Sequence, residues 1–190
     1  MTLTEAKQIT GGLSKPSKMP GLSYGISAKQ CNVGSKLAKV PGSVCNGCYA
    51  LKSNYQYPSV AAAHQKRLDG LESISWVDSM VKLISSSGEA YFRWHDSGDL
   101  QSLQHLLDIV RIAELLPNVS FWLPTKEKAI LASAKRAESL TMATLSLIAT
   151  PWHLEAIGYP GMAWFIHISP VGLRHSTRKA SGSMAKAEIF

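Results

Sequence analysis

The chain has 190 residues, 45% of them hydrophobic, which is enough length and apolar content to bury one core without crosslinks. No apolar run approaches the roughly 20 residues of a membrane span, and the opening MTLTEAKQITGG has no basic leader followed by an apolar segment. These features argue against a membrane or secreted protein and for a soluble one in a reducing cytoplasm, where clustered thiols bind metal or do redox chemistry more often than they pair.

The formal net charge of +7 is unevenly spread. Residues 1–55 carry seven lysines against the single acid Glu5, residues 56–170 carry nine bases against eleven acids, and residues 171–190 carry four bases against one acid. A basic surround suits a negative partner, and both a nucleic-acid backbone and a thiolate-ligated cluster are negative. No repeat or linker divides the chain, which predicts one domain over residues 1–190. It comprises a basic N-terminal arm (1–22), an α/β core (23–170) and a basic tail (171–190) containing RHSTRKASGS, read as mobile.

All three cysteines, Cys31, Cys45 and Cys48, lie in CNVGSKLAKVPGSVCNGCYALK, spaced C-x13-C-x2-C. A C-x2-C pair points two sulfurs at one centre across a turn, and Gly47 relaxes the backbone there. Gly34, Pro41 and Gly42 allow the loop to fold back and bring Cys31 to the same centre. The YALK segment that follows is read as a helix start whose amides would stabilise thiolates.

Downstream, Ser59 is read as the cap of a helix through VAAAHQKRLDGL. SWVDSMVKLI is a second helix, with Trp76, Met80 and Leu83 or Ile84 on its apolar face and Gly88 at its end. EAYFRWHDSGD reads as a strand ending near His95. LQSLQHLLDIVRIAELLP is the clearest helix, its apolar face drawn from Leu103, Leu106, Leu107, Val110, Leu115 and Leu116. NVSFWLPTKEKAILASAKRAES repeats the strand, turn and helix, and ATLSLIATP and GMAWFIHISP read as two further strands. Alternating strands and helices imply a parallel sheet and an α/β fold.

Functional groups in such folds gather beyond the carboxyl ends of the strands. Those ends bring forward His95, Asp96, Ser97 and Asp99, then Thr125, Lys126 and Glu127, then Thr150, then His167 and Ser169. HDSGD stands out, with two carboxylates, an imidazole, a hydroxyl and the flexible Gly98 in five positions. Trp94, Trp122 and Trp164 are assigned to the core or a barrel lining. His64, His105, His153 and His175 lack companions at ligand spacing and are assigned to helix faces or the surface.

Four readings of the cysteines stand open. They are reduced thiols without a role, a zinc site completed by His64 or His95, a thioredoxin-like redox pair, or an iron-sulfur cluster held by three thiolates with one iron open. LAKVPGSV makes a poor strand before C-x2-C, which weakens the redox pair. Under the zinc reading the partner is nucleic acid, with Tyr55 and Tyr57 beside Lys52 stacking on single strands. The competing account of the two tyrosines packs them beneath the cysteine loop.

SKMPGLSYGISAKQC, GSKLAKVPGSVCNGCYALKSNY, YFRWHDSGDLQS and FWLPTKE resemble signature blocks of a phage-encoded family, gene product 88, from about Lys15 to about Glu127. More distantly, the loop ending C-x2-C-Y-A, the strand ending Ser-Gly-Asp and the strand ending near Thr-Lys are similar to the phage gene product 37 and 68 family. That family is grouped with radical S-adenosylmethionine (radical SAM) proteins, whose fold is a partial (β/α) barrel. The likeness implies a cytoplasmic protein of the infected host, with Cys31, Cys45 and Cys48 ligating a four-iron four-sulfur cluster. It further implies that Ser97, Gly98 and Asp99, with His95 and Asp96, meet S-adenosylmethionine, that Lys126 takes its carboxylate, and that a reductase or ferredoxin supplies the electron that cleaves it. Without that cofactor, the same cluster would serve electron transfer or redox sensing.

Overall fold

The computed structural model describes residues 1–17, residues 21–136 and strand 164–168. Three parallel strands form in chain order, β1 (Leu22–Tyr24), β2 (Tyr91–Trp94) and β3 (Ser120–Thr125). A fourth, β4 (Trp164–Ile168), adds to β3 in the antiparallel sense, giving the sheet order β1-β2-β3-β4. The α/β class read from the sequence is therefore present, as a small open sheet rather than a closed barrel among the described residues. GMAWFIHISP does contain a strand, but it runs against its neighbour rather than with it. The strand expected in ATLSLIATP, Thr150, Ser169, His153, His175 and the basic tail lie outside the described residues.

Residues 3–10, inside the segment read as a basic arm, form helix α1 (Leu3–Thr10). Thr2 and Glu5 close a capping box at its start and Gly11, at φ 76°, ends it in the left-handed conformation that costs glycine least. α3 (Pro58–Gly70) begins one residue before the expected cap. Pro58 takes the first helical position, where its missing N–H costs nothing, so Tyr57 rather than Ser59 precedes the helix. α4 (Trp76–Ser87) ends as expected at Gly88, with Trp76, Met80, Leu83 and Ile84 buried.

In α5 (Leu103–Leu115), Ser102 caps the first turn by accepting the His105 amide at 3.0 Å. The buried face of α5 is Leu106, Ile109, Val110, Ile112 and Ala113; Leu115, assigned to it from sequence, is exposed. α6 (Lys128–Arg136) follows β3.

Alternation along the strands separates two faces of the sheet. Tyr24, Phe92, Trp94, Phe121 and Leu123 point to the side covered by α4 and α5; their aromatic rings pack on one another and on Trp76 at centroid separations of 4.9–6.2 Å, edge-on or tilted except for the stacked Trp94–Phe121 pair. Burying each such side chain stabilises the fold by about 1.5–3 kcal/mol. Ser23, Arg93 and Trp122 form a row on the other side, in register across three strands. Trp122 is thus not a core residue: it is 39% exposed, with the Arg93 guanidinium 4.3 Å above its ring.

One buried cation ties the N-terminal residues to this core. Arg67 of α3 donates through Nε to the Gly12 carbonyl at 3.0 Å and through Nη1 to the Gly25 carbonyl at 3.2 Å, and it sits over the Tyr24 ring. The Tyr24 hydroxyl lies 2.9 Å from the Thr10 carbonyl and 2.8 Å from the Arg67 carbonyl, and accepts from Trp76 Nε1 at 3.2 Å. Replacing Arg67 by Met should leave two carbonyls without a donor and cost roughly 2–4 kcal/mol; Arg67→Lys should not rescue it, because a single ammonium lacks the guanidinium fork. Chemical denaturation of the two variants checks this, and wild-type stability in either one refutes the assignment.

Candidate functional site

The carboxyl edge of the parallel strands carries half of the buried polar residues among those described. His95, Asp96, Ser97, Asp99, Thr125 and Glu127 are all buried there, because each strand leaves the core at this edge and its backbone must find new partners. β2 ends at Trp94 and the chain turns at His95, whose φ of 56° is left-handed and strained for a residue with a side chain. The His95 amide donates to the Tyr24 carbonyl at 2.8 Å, and Ile26 donates to the Ser97 carbonyl at 3.0 Å. Gly98 is required where it is: at φ 83°, any Cβ would stand 2.4 Å from Ile26 Cγ1. Gly25 is needed for the same reason, since a Cβ there would meet Asp96 Oδ1 at 2.5 Å.

Asp99 ties β2 to β3. Its Oδ1 accepts from its neighbour's amide, Leu100 N, at 2.8 Å and from the Thr125 hydroxyl at 2.6 Å, and its Oδ2 accepts from the Lys126 amide at 2.8 Å. Burial nonetheless leaves its carboxyl above the usual range, with Glu127 adding to the effect and these three donors opposing it.

Onto this edge the cysteine loop folds back. Residues 38–47 are turns, so no strand precedes the C-x2-C pair, which removes the context a thioredoxin-like site needs. The expected helix after Cys48 is a single 3-10 turn, Tyr49–Leu51. Cys31 occupies the cap position of α2 (Asn32–Leu37), a six-residue helix, without itself bonding an amide. Glu127 does so instead, its Oε1 accepting from the Val33 amide at 2.8 Å. On the other side, the Tyr49 hydroxyl donates to the Asp96 carbonyl and Tyr55 donates to Asp96 Oδ2 at 3.3 Å. Tyr55 also stacks on His64, so of the tyrosine pair it packs under the loop while Tyr57 is exposed.

The three thiols are free and form one electrostatic cluster with Asp99, Lys126 and Glu127. Burial pushes the Cys31 thiol up to about 12, reinforced by Asp99, Cys48, Cys45 and Glu127. Cys45 is raised by burial and Cys48, an effect that Lys126 opposes. Lys126 is itself lowered by burial and held up by Cys45 and Asp99.

Gly34 lies against two of the cysteines: a Cβ there would stand 3.0 Å from Cys31 Cβ, 3.4 Å from Cys31 Sγ and 3.7 Å from Cys45 Sγ. Among the described residues, no three His, Cys, Asp or Glu side chains converge closely enough to hold a single metal ion. A tetrahedral zinc with bonds of about 2.3 Å draws its sulfurs to roughly 3.8 Å apart. A cluster would spread them, because each thiolate bonds a different iron. Neither histidine offered as a zinc ligand joins the sulfurs, His64 being engaged with Tyr55 and His95 with the interior.

His95 turns into the helix-covered interior, its ring edge-on to His105 at 5.3 Å, while His105 stands edge-on to Trp76 at 5.6 Å. His105, assigned to a helix face or the surface from sequence, is in fact a buried partner of His95; a histidine four places before the Ile109 of an apolar face was the available signal. His95 Nδ1 and Nε2, Asp96 Oδ1, Ser97 Oγ, Trp94 Nε1 and His105 Nε2 are buried without a hydrogen-bond partner, so this edge concentrates polar atoms that a water or ligand would satisfy. Desolvation keeps both histidines neutral, His95 well below its ordinary value and His105 down to about 4.

Unfolded histidine takes up its proton near pH 6.5, so the stability contributed by a neutral His105 is full above that value and is lost progressively as pH falls towards 4. The pH profile of thermal unfolding should therefore be flatter between pH 6.5 and 4 for His105→Gln than for wild type; parallel profiles would remove the buried neutral histidine from the account.

The family model described as Gene product 88 matches residues 2–149. No curated protein and no solved structure matches the chain. The matched span includes the cysteine loop, the Ser-Gly-Asp turn and the Thr-Lys-Glu end of β3, and on that match the chain belongs to the Gene product 88 family of phage proteins.

Proposed function

We propose that this protein binds a four-iron four-sulfur cluster through Cys31, Cys45 and Cys48, at the carboxyl edge of a sheet organised like part of a radical SAM (β/α) barrel. The observation that carries the reading is the docking of an otherwise irregular loop onto that edge. Glu127 and Asp96 hold its two ends, and the loop carries three free thiols, two of them, Cys31 and Cys45, beside Gly34. The succession β1, β2, β3, parallel and adjacent in chain order, suits a barrel segment, and the antiparallel β4 is a departure from one.

When bound, such a cluster would exchange one electron and offer one iron to a ligand with amino and carboxylate groups, as S-adenosylmethionine has. Around it the chain's own groups divide the work. Asp99 is committed to the ends of β2 and β3 and acts as a fixed negative wall, Lys126 supplies positive charge next to Cys45, and Gly98 keeps the turn close to β1. His95 faces the interior and is assigned to shaping the turn, with Asp96 and Ser97 presenting buried polar atoms at its rim. The electron donor would be a reductase or ferredoxin of the infected cell. No helix among the described residues is long and apolar enough to cross a membrane, in keeping with a site of action in the cytoplasm.

Anaerobically purified protein should contain about four iron and four sulfide per chain and give, after dithionite reduction, an electron paramagnetic resonance signal shifted by S-adenosylmethionine. A signal indifferent to that cofactor would favour electron transfer or sensing, and zinc without iron would sink the cluster. Each Cys→Ser variant should lose most of its iron. Gly34→Ala helps separate cluster from fold, because alanine favours α2 yet sets a methyl 3.0 Å from Cys31 Cβ and 3.4 Å from Cys31 Sγ, which displaces that cysteine: iron should fall by much more than any change in the thermal midpoint accounts for.

A further inference from the structure

Three consecutive residues at the end of β3 grip two parts of the site. Thr125 Oγ1 and Lys126 N bond Asp99 of the β2 turn, and Glu127 Oε1 bonds Val33 of the cysteine loop. Glu127 is in turn held by its own amide, which donates to Thr125 Oγ1 at 3.1 Å, and it is 4% exposed, so its carboxylate is a fixed post rather than a surface charge. The Val33 amide needs such a post. It is one of the first-turn N–H groups that have no partner within a helix, and Cys31, at the cap, makes no side-chain bond to it. A six-residue helix has little stability of its own, so the external acceptor decides whether that turn stays formed.

We propose that Glu127 is a positioning residue for the cysteine loop: by accepting the Val33 amide it holds the turn that Cys31 begins, and so sets where the Cys31 sulfur lies relative to Cys45 and Cys48. This deepens the cluster reading and rests on it for its functional meaning; the geometry it invokes is that of the metal-free chain. Cys48 is tethered separately, through Tyr49 and Asp96, whereas Ser43 and Asn46, on either side of Cys45, donate to the Leu37 and Ala38 carbonyls at the end of α2, so the effect falls most on Cys31, less on Cys45 and least on Cys48.

The test uses Glu127→Ala and the bulkier Glu127→Met, neither of which presents an acceptor, and Glu127→Gln, which does. Metal-free full-length protein is alkylated with iodoacetamide under native conditions and the three cysteines are followed by peptide mass mapping, alongside the thermal midpoint. Iron uptake on anaerobic reconstitution is measured in parallel. In the Ala and Met variants Cys31 should react roughly ten- to a hundredfold faster than in wild type, the span expected when a charged hydrogen bond closing a local opening is lost, with a smaller rise at Cys45 and the smallest at Cys48. Glu127→Gln should stay near wild type, and iron uptake should follow the Cys31 protection across the series.

An unchanged Cys31 rate in the acceptor-free variants overturns the proposal. So does an equal rise in Glu127→Gln, which would make the effect one of charge alone, and so does failure of both acceptor-free variants to fold, which would make Glu127 a support of the whole domain. If wild type takes up no iron yet Cys31 protection behaves as expected, the cluster reading falls and the positioning role of Glu127 remains.

Discussion

The buried Asp99 carboxylate is the constraint from which the rest of the site follows. A strand that ends inside the protein leaves amides and carbonyls facing a region with little water, and each must be bonded or its desolvation is uncompensated. At the ends of β2 and β3 one side chain meets that demand by taking the Leu100 amide, the Lys126 amide and the Thr125 hydroxyl at once. The bonds do not fully offset the burial of the charge, since the carboxyl stays above its ordinary range. Asp99 is therefore an expensive way to hold two turns together, and what it secures is a defined spacing between the segment that carries Ser97 and Gly98 and the segment that carries Lys126 and Glu127.

The cysteine loop depends on that spacing because it contributes little packing of its own. No residue of α2 is buried, and Ala50 is the one buried member of the 3-10 turn after Cys48. A segment so poor in apolar contacts keeps a fixed shape only through bonds to something rigid. Those bonds reach it from Glu127, from the Asp96 carbonyl, and from Gln101, which donates through Nε2 to the Gln30 carbonyl at 3.3 Å and to the Asp99 carbonyl at 2.8 Å. The division would suit the proposed cluster site: the scaffold is made by β2, β3 and α5, and the three cysteines sit on a segment with few apolar contacts.

How much of this was legible depended on the range of the information. Helices α4 and α5 could be read because their apolar spacing is local and strong, and β3 because Phe121, Leu123 and Thr125 alternate with more exposed neighbours. The meeting of Asp99, Thr125 and Lys126 followed from the rule that functional groups meet at the carboxyl ends of parallel strands, a rule that says nothing of Cys31, which lies on no strand. The antiparallel sense of β4 was not readable, because an apolar run carries no direction. Glu127 was noticed as a polar strand end, yet nothing in its spacing showed that it reaches Val33, 94 positions away. His105 was missed for a related reason: its burial is decided by the rings of Trp76 and His95, which come from other elements.

The strain in the site is placed consistently with this division. Both left-handed residues of the β2 turn, His95 and Gly98, lie within the span that Asp99 and the Tyr24 and Ile26 backbone bonds hold shut. A left-handed histidine costs on the order of 1–2 kcal/mol and persists only where its surroundings impose it. Here the imposition comes from β1, through the bond from the His95 amide to the Tyr24 carbonyl, and from α5, through the His105 ring. The turn is thus bent by the core side of the sheet and presented on the other side to the cysteine loop. Strain, orphaned polar atoms and free thiols meet at the carboxyl edge because it is there that the strands leave the packed core, with Trp94, His95 and His105 still on the helix-covered side and the cysteine loop beyond it.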